Sequence, residues 1–178
     1  MMPNYTIVRA RTQDLAHLRH VELAAARLLS GYAPESVLTE TTSHEELLRA
    51  AVDGLLWVAL ADDLPVGFAH VEVIDPTTAH LEEIDVLPAH GRRGLGTRLV
   101  TTVCSWAGTR GFESVTLTTF RDVPWNMPFY ERLGFEVVPT SALSPALRAV
   151  VDDETRRGLD PLQRVVMRWP CVVASSAR

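Results

Sequence analysis

The chain has 178 residues, 47% of them hydrophobic and 22% charged, which is typical of one soluble globular domain, with two very small domains as the alternative. Its formal net charge of −5 argues against a nucleic-acid-binding protein, because such proteins need a basic face. Cys104 and Cys171 show neither CxxC spacing nor a histidine at metal-ligand spacing. We therefore expect no disulfide, no metal site and a reducing compartment.

The lengths of the apolar runs in the sequence indicate the cellular location that we expect for the protein. The opening residues lack the apolar stretch of a secretory signal, and no apolar run approaches the length that crosses a bilayer. We therefore expect a cytoplasmic protein that does not bind membranes. Residues 1–172 are predicted to form a single domain, and residues 173–178 a disordered tail.

The first predicted elements are one strand and two helices. Tyr5–Ala10 alternates sufficiently to predict a strand, and Thr12 is the expected N-cap of the helix that follows. Ser43 and Glu46 have the spacing of a capping box, which opens a second helix that ends at Gly54.

Strand signals dominate the rest of the chain. Further strands are predicted at 55–63, 66–75, 79–87, 114–120, 135–138 and 163–169, and helices at 94–109, 127–133 and 145–157. Asn126 is the expected N-cap of the helix at 127–133. The early strands form a hairpin run, so the order predicts a mixed α/β sheet with helices on its faces, not a purely alternating doubly wound fold.

The stretch "IDVLPAHGRRGLGTRLV" (Ile84–Val100) turns a β-branched strand into a helix through a glycine- and arginine-rich turn. Such a turn presents free backbone N–H groups at the positive end of a helix dipole, which is an anion site. Gly94 and Gly96 let the main chain approach a ligand, and Arg92 and Arg93 add charge-assisted hydrogen bonds. Phosphate is the anion that this pattern favours.

Two phosphate-binding fingerprints fail on this turn. Gly91 and Gly96 have the spacing of a nucleotide P-loop, but Thr97 and Arg98 replace its Lys–Ser/Thr pair. The dinucleotide pattern GxGxxG fails because Leu99 stands at its third glycine. A nucleotide-binding domain is therefore disfavoured.

A third pattern fits. The stretch resembles motif A of the GNAT family of N-acetyltransferases, with Val86, Pro88, Gly94 and Gly96 on the pattern. The family's usual Gln or Arg is replaced by Gly91, which leaves open which side chain assists the backbone. The resemblance implies a GNAT acyl-CoA N-acyltransferase fold, a mostly antiparallel central sheet flanked by helices.

A second motif extends the resemblance. In "WNMPFYERLGF", Tyr130, Leu133, Gly134 and Phe135 match the tyrosine-bearing helix and Leu-Gly-Phe turn of motif B. The family's common asparagine lies two helical turns before the tyrosine, whereas Asn126 lies one turn before it, as in some polyamine acetyltransferases. The pattern spans essentially the whole chain.

The resemblance implies a binding site for acetyl-CoA as cosubstrate. It implies that the backbones of Ile84 and Val86 pair with the pantetheine arm and that the Val86 N–H polarises the thioester carbonyl. The other residues expected at the cofactor are Gly91, Arg92, Arg93, Gly94, Leu95, Gly96, Thr97 and Asn126.

The resemblance also implies direct attack of an amine on the thioester, with Tyr130 as the acid that protonates the departing thiolate. Glu82 is the expected base, because it shares strand parity with Val86 and polyamine-type relatives carry a glutamate at similar positions. His80 shares that parity and is an alternative base, as is a chain of water molecules. Glu83 points the other way.

The predicted activity is transfer of an acetyl group from acetyl-CoA to a primary amine of a small molecule. The alternative is a catalytically silent acyl-CoA-binding or regulatory module of the same fold. Trp125, beside Tyr130, is the one tryptophan expected to line the acceptor pocket. A homodimer is a common outcome in the family.

Overall fold

In the computed structural model, which describes residues 3–171, seven strands form one sheet in the order β1-β2-β3-β4-β5-β7-β6. The strands are Tyr5–Arg9 (β1), Leu56–Ala61 (β2), Leu64–Asp75 (β3), Thr78–Val86 (β4), Ser114–Phe120 (β5), Glu136–Val138 (β6) and Arg164–Pro170 (β7). The helices are Leu15–Ala26 (α1), Glu35–Leu38 (α2), His44–Val52 (α3), Leu95–Thr109 (α4), Asn126–Arg132 (α5) and Pro145–Arg156 (α6). The tail predicted at 173–178 lies outside the described residues.

The pairing of the strands confirms the predicted mixed sheet. β1 pairs with β2, β2 with β3, β5 with β7 and β6 with β7, each antiparallel, whereas β4 and β5 are parallel. The order of long elements is the one predicted, with the four-residue helix α2 added. No helix within residues 3–171 combines the length and apolar character that a membrane span needs.

Contacts divide the chain into two compact units. The first contains residues 3–72 together with 82–102, and the second contains 73–81 together with 103–171. The first unit has an apolar core that includes Leu18 and Val21 of α1, Leu47 of α3 and Phe68 of β3. In the second unit, one apolar cluster consists of Val138, Leu143, Leu147 and Val166, with Ile74 and Val151 packed against it.

One predicted helix N-terminus, that of α3, is confirmed. Ser43 caps α3 as predicted: its Oγ accepts from the N–H of Glu46 at 3.2 Å, and its own N–H donates to Glu46 Oε2 at 3.0 Å. The carboxylate of Glu46 thereby accepts hydrogen bonds from Ser43, which lower its pKa. The capping box at the start of α3 is confirmed.

Two predicted N-caps are wrong. Thr12 is inside a short 3-10 turn, Thr12–Asp14, and α1 begins only at Leu15. That turn is closed by Arg11 instead, whose backbone N–H donates to Asp14 Oδ2 at 2.8 Å and whose guanidinium binds the same carboxylate. The Asp14 carboxylate is a stronger hydrogen-bond acceptor than the Thr12 hydroxyl, so it is used to close the turn. Asn126 is already helical, and Trp125 takes the N-cap position without a capping side-chain bond.

The backbones of β3 and β4 approach each other closely at Gly67. A Cβ added to this residue would lie 2.8 Å from the carbonyl oxygen of Asp85 and 3.1 Å from Cγ2 of Val86. The first of these contacts is with backbone, so it is not relieved by a side-chain rotation. Glycine at this position therefore lets β3 lie against the part of β4 that leads into the glycine-rich turn.

We expect Gly67→Ala to destabilise the protein by about 2 kcal/mol, because the methyl group overlaps a backbone carbonyl. The matched control is Gly108→Ala within α4, where an added Cβ has no heavy atom within 4 Å. That control should raise stability by up to about 1 kcal/mol through helix propensity. Urea unfolding of the two variants measures both changes, and equal effects would contradict the close approach.

Buried polar groups link α6 to the sheet in the second unit. The guanidinium of Arg164 donates to Glu154 Oε1 at 2.8 Å and to Thr118 Oγ1 at 2.8 Å. His80 of β4 is 1% exposed, and its Nδ1 lies 2.9 Å from Thr116 Oγ1. Burial lowers the pKa of His80 to about 4, although the nearby Glu154 carboxylate opposes the shift. The imidazole is therefore neutral in the folded protein at neutral pH.

The lowered pKa of His80 predicts acid sensitivity. Unfolding frees the imidazole to bind a proton with a pKa near 6.5, so the unfolded state binds more protons between pH 6.5 and about 4. Stability should fall as the pH falls through this window, by up to about 3 kcal/mol from this group. Urea unfolding at a series of pH values measures this dependence. For His80→Gln, the free energy of unfolding should fall less steeply with falling pH, by a slope that corresponds to up to one proton. Identical slopes would contradict the neutral buried imidazole.

Candidate functional site

β4 pairs with β5 over a short distance. The parallel ladder joins Thr78–His80 to Ser114–Thr116 and goes no further along β4, whereas β5 continues to Phe120. The edge of β4 from residue 82 to 86 therefore presents backbone N–H and C=O groups outside this ladder. Ile84 and Val86, predicted to contact a pantetheine arm, lie on this stretch.

The glycine-rich turn connects β4 to α4 and has an unusual backbone. Arg92 has φ +56° and Gly94 has φ +76°, so both residues are left-handed. The conformation is unfavourable for arginine and easy for glycine. Two such residues within three positions turn the chain sharply and leave Arg92, Arg93 and Gly94 exposed.

The turn ends at the N-terminus of α4. Arg98 N–H donates to the Gly94 carbonyl at 3.0 Å, so the helical hydrogen bonds begin there. The N–H groups of Leu95, Gly96 and Thr97 precede the first intrahelical donor and point out of the helix end. A 15-residue helix adds its positive dipole end to these donors. This arrangement suits an anion with several oxygen atoms.

Tyr5 of β1 holds the start of this turn. Its hydroxyl lies 2.9 Å from Nδ1 of His90, and the two rings meet edge to face with centroids 5.8 Å apart. The guanidinium of Arg98 donates to the Tyr5 carbonyl oxygen at 3.1 Å, and Arg93 lies over the Tyr5 ring with 6.0 Å between guanidinium carbon and centroid. No local signal in the sequence indicates this contribution, because the partners are 85 positions apart.

The acidic side chains of β4 divide between its two faces. Glu82, the predicted base, is half-buried and shares its parity with Val86. Glu83 and Asp85 have the opposite parity, and their carboxyl groups are joined by a hydrogen bond. Burial raises the pKa of Asp85 well above its usual value, and the carboxyl groups of Glu83 and of Glu22 on α1 raise it further.

The predicted acid, Tyr130, lies on α5 in the second unit. Its side chain is 9% exposed and packs edge to face against Phe129 and Phe135, at centroid distances of 5.0 and 5.8 Å. Gly134, with φ +91°, ends the helix, and the N–H of Phe135 donates to the Tyr130 carbonyl at 3.1 Å. These contacts hold the Tyr130 ring in a fixed orientation.

Other predicted residues of the second unit differ in exposure. Trp125 is 48% exposed, which leaves its indole open to a ligand, and Asn126 is half-buried. His80, the alternative base, is buried against Thr116, and its pKa near 4 makes it a weak proton acceptor at neutral pH. The glycine-rich turn and Glu82 belong to the first unit, whereas Tyr130 belongs to the second.

Within residues 3–171, no three His, Cys, Asp or Glu side chains are grouped so as to hold a metal ion. Cys104 and Cys171 are free and buried, and burial raises the pKa of Cys104 to about 12, with a smaller contribution from Cys171. A thiol with this pKa is a poor nucleophile at neutral pH.

We expect Tyr5→Phe to loosen the glycine-rich turn without unfolding the protein. The substitution removes the hydroxyl that bonds His90, worth about 1 kcal/mol, and keeps the Tyr5 carbonyl that binds Arg98. Amide hydrogen exchange at residues 90–94 should accelerate about fivefold, with the amides of α6 as internal control. Unchanged exchange in the turn would show that the hydroxyl does not hold it.

Comparisons with known proteins agree with these features. Residues 23–135 match the model of the acetyltransferase (GNAT) family. An aminoglycoside N(6')-acetyltransferase type 1 of Salmonella enteritidis is 28% identical over 135 residues, which are 71% of this chain and 90% of that protein.

Two solved structures show the same fold. The PaiA N-acetyltransferase of Thermoplasma acidophilum, in complex with coenzyme A, has a TM-score of 0.74 at 20% identity and covers 94% of this chain and 99% of its own. The ribosomal-protein-S18-alanine N-acetyltransferase of Escherichia coli has a TM-score of 0.68 at 20% identity, covering 98% and 99%. The family match spans well over half of the chain, and the chain therefore belongs to the GNAT family of acetyltransferases, which use acetyl-CoA as cosubstrate.

Proposed function

We propose that the protein transfers the acetyl group of acetyl-CoA to a primary amine of a small molecule, by direct attack of the amine on the thioester. This proposal rests on the order of the structural features in the segment that contains β4, the glycine-rich turn and α4. A strand edge outside its ladder leads into a left-handed turn and then into the N-terminus of a long helix. The strand edge can pair with the amide groups of an extended chain, and the N-terminus of the helix can bind a diphosphate.

The diphosphate of the coenzyme is assigned to the turn. Backbone N–H groups at the start of α4 donate to the phosphate oxygens, and the exposed Arg92 and Arg93 add charge. The amide groups of the pantetheine arm pair with the backbones of Ile84 and Val86. The N–H of Val86 then polarises the thioester carbonyl and stabilises the oxyanion that forms on attack.

Two side chains are assigned to proton transfer. Glu82 accepts a proton from the incoming ammonium group, and the neutral nitrogen attacks the carbonyl carbon. The C–N bond forms, the C–S bond breaks, and the Tyr130 hydroxyl protonates the departing thiolate. The new amide nitrogen gives its extra proton to the Tyr130 phenolate, and Glu82 releases its proton to water, so both groups are restored. Direct attack avoids an acyl-enzyme intermediate, in keeping with two buried cysteines that are poor nucleophiles.

A small cationic acceptor is supported by two observations. The curated relative from Salmonella enteritidis is named an aminoglycoside acetyltransferase, and an aminoglycoside is a small molecule with several amino groups. The net charge of −5 favours attraction of cations. We place the reaction in the cytoplasm, where free cysteines stay reduced. A homodimer stays a prediction.

We expect Tyr130→Phe to lower kcat by about 100-fold or more, because the thiolate then leaves without an acid. The affinity for acetyl-CoA should change little, since the ring and its contacts with Phe129 and Phe135 are kept. Thiol release during steady-state turnover gives kcat, and calorimetry gives the affinity. Wild-type protein that binds acetyl-CoA and acetylates no amine would instead favour the catalytically silent module.

A second experiment tests whether the protein binds acetyl-CoA at the glycine-rich turn. Acetyl-CoA should raise the thermal midpoint of the protein, whereas ATP and NAD at the same concentration should not, because only ligands that bind the native state stabilise it. The variant Arg92→Gly removes one positive charge from the turn and accepts the left-handed backbone. It should bind acetyl-CoA more weakly while unfolding at the same or a higher temperature. Stabilisation by ATP alone would contradict the proposal.

A further inference from the structure

Tyr5 contacts the glycine-rich turn from a strand that is not adjacent to β4 in the sheet. β2 and β3 lie between β1 and β4, so the axes of β1 and β4 are roughly 14 Å apart. The segment that follows β4 nevertheless brings Nδ1 of His90 to 2.9 Å from the Tyr5 hydroxyl. A side chain of β1 is therefore hydrogen-bonded to the residue that precedes the turn.

The contacts of Tyr5 lie on both sides of the left-handed residues. Its hydroxyl contacts His90 before them, and its carbonyl oxygen accepts from the guanidinium of Arg98 after them, at 3.1 Å. Arg93, between the left-handed residues Arg92 and Gly94, has its guanidinium carbon 6.0 Å from the centroid of the Tyr5 ring. One residue of β1 thus restrains the turn at its start, in its middle and at its end.

The backbone of Tyr5 is itself anchored to the hairpin between β2 and β3. The N–H of the preceding residue, Asn4, donates to Asp62 Oδ1 at 2.9 Å, and the N–H of Asp62 donates to the Asn4 carbonyl at 3.1 Å. Tyr5 then pairs with Ala61 in the antiparallel ladder of β1 and β2. Because its main chain is held by the sheet, the Tyr5 ring is a fixed support for the turn.

The turn needs such support because arginine does not favour its backbone conformation. Arg92 has φ +56°, and this conformation costs a residue with a Cβ about as much as one hydrogen bond contributes. Arg92, Arg93 and Gly94 are also exposed, so burial does little to order them. Without the contacts from β1, the turn would spend part of its time in conformations in which its N–H groups do not converge on one ligand.

We propose that Tyr5 is a positioning residue for the coenzyme: through His90 it holds the glycine-rich turn in the conformation that binds the diphosphate, and it thereby sets the affinity for acetyl-CoA. This inference rests on the proposed binding of the coenzyme at the turn. A site that is already ordered loses less conformational entropy when its ligand binds. When only a fraction of the molecules has the competent conformation, the apparent dissociation constant rises by the inverse of that fraction.

Tyr5→Phe tests this inference, because it removes the hydroxyl and keeps the ring and the carbonyl. The Kd for coenzyme A, measured by calorimetry well below the unfolding midpoint, should rise about threefold to fivefold, and KM for acetyl-CoA should rise by the same factor. The value of kcat at saturating acetyl-CoA should change less than about 1.5-fold, since β1 is roughly 14 Å from the strand to which the thioester is assigned. A purely structural role would lower the unfolding midpoint and leave the Kd of the folded protein unchanged.

Substitutions of His90 test whether the two residues act together. His90→Leu should weaken binding as much as Tyr5→Phe, and the double variant should bind no more weakly than His90→Leu alone, because the bond is already lost. His90→Asn, whose side-chain amide can stand near the position of Nδ1, should recover most of the affinity. Independent effects that multiply to about tenfold in the double variant would overturn the inference.

Tyr32→Phe is the matched control, because it removes the same hydroxyl from the connection between α1 and α2 in the same unit. Its affinity for coenzyme A should equal that of the wild-type protein. A wild-type Kd for Tyr5→Phe would overturn the inference and leave the coenzyme site standing, since Arg92→Gly tests that site separately. Wild-type protein that binds no coenzyme A would overturn the proposed site, and this inference with it.

Discussion

The short ladder between β4 and β5 is the constraint on which the proposed coenzyme site depends. A strand inside a sheet normally exchanges hydrogen bonds along both edges, and β4 exchanges them with β5 only as far as His80 and Thr116. Past that point the edge of β4, from residue 82 to 86, lies outside this ladder. The strand then runs into a turn that needs left-handed residues and ends at the N-terminus of α4. Gly67 contributes from β3 by letting the two backbones approach at this level.

Charge is arranged along this segment with opposite signs at its two parts. The turn carries exposed arginines and a positive helix end, and Tyr5 supports it through His90. The preceding strand carries the half-buried Glu83–Asp85 pair, and the Glu22 carboxylate acts electrostatically on Asp85. The anionic coenzyme is complementary in charge to the turn at which we propose that it binds.

Much of this could be predicted from the sequence because the signals are local. The strand-to-helix turn at Gly94, the capping box at Ser43 and the end of α5 at Gly134 follow from backbone preferences within a few residues. The caps at Thr12 and Asn126 were wrong because a neighbouring residue closed the turn or had already entered the helix.

Contacts between distant residues carry no local signal. Tyr5 bonds His90 across 85 positions, and Glu22 meets Asp85 only after α1 packs on the sheet. Alternation along β4 puts Glu83 and Asp85 on one side and Glu82 on the other, but it did not indicate that Glu83 and Glu22 raise the pKa of Asp85. The buried Nδ1 of His70 is equally a property of the packed structure.

The most direct test of the proposed coenzyme site is amide hydrogen exchange with and without coenzyme A. Binding should slow exchange at Val86 on the edge of β4 and at Leu95, Gly96 and Thr97 at the start of α4, because these N–H groups would then donate to the ligand. The amides of α6 should exchange at unchanged rates. Coenzyme A that binds without slowing exchange in this segment, or that does not bind at all, would contradict the central claim.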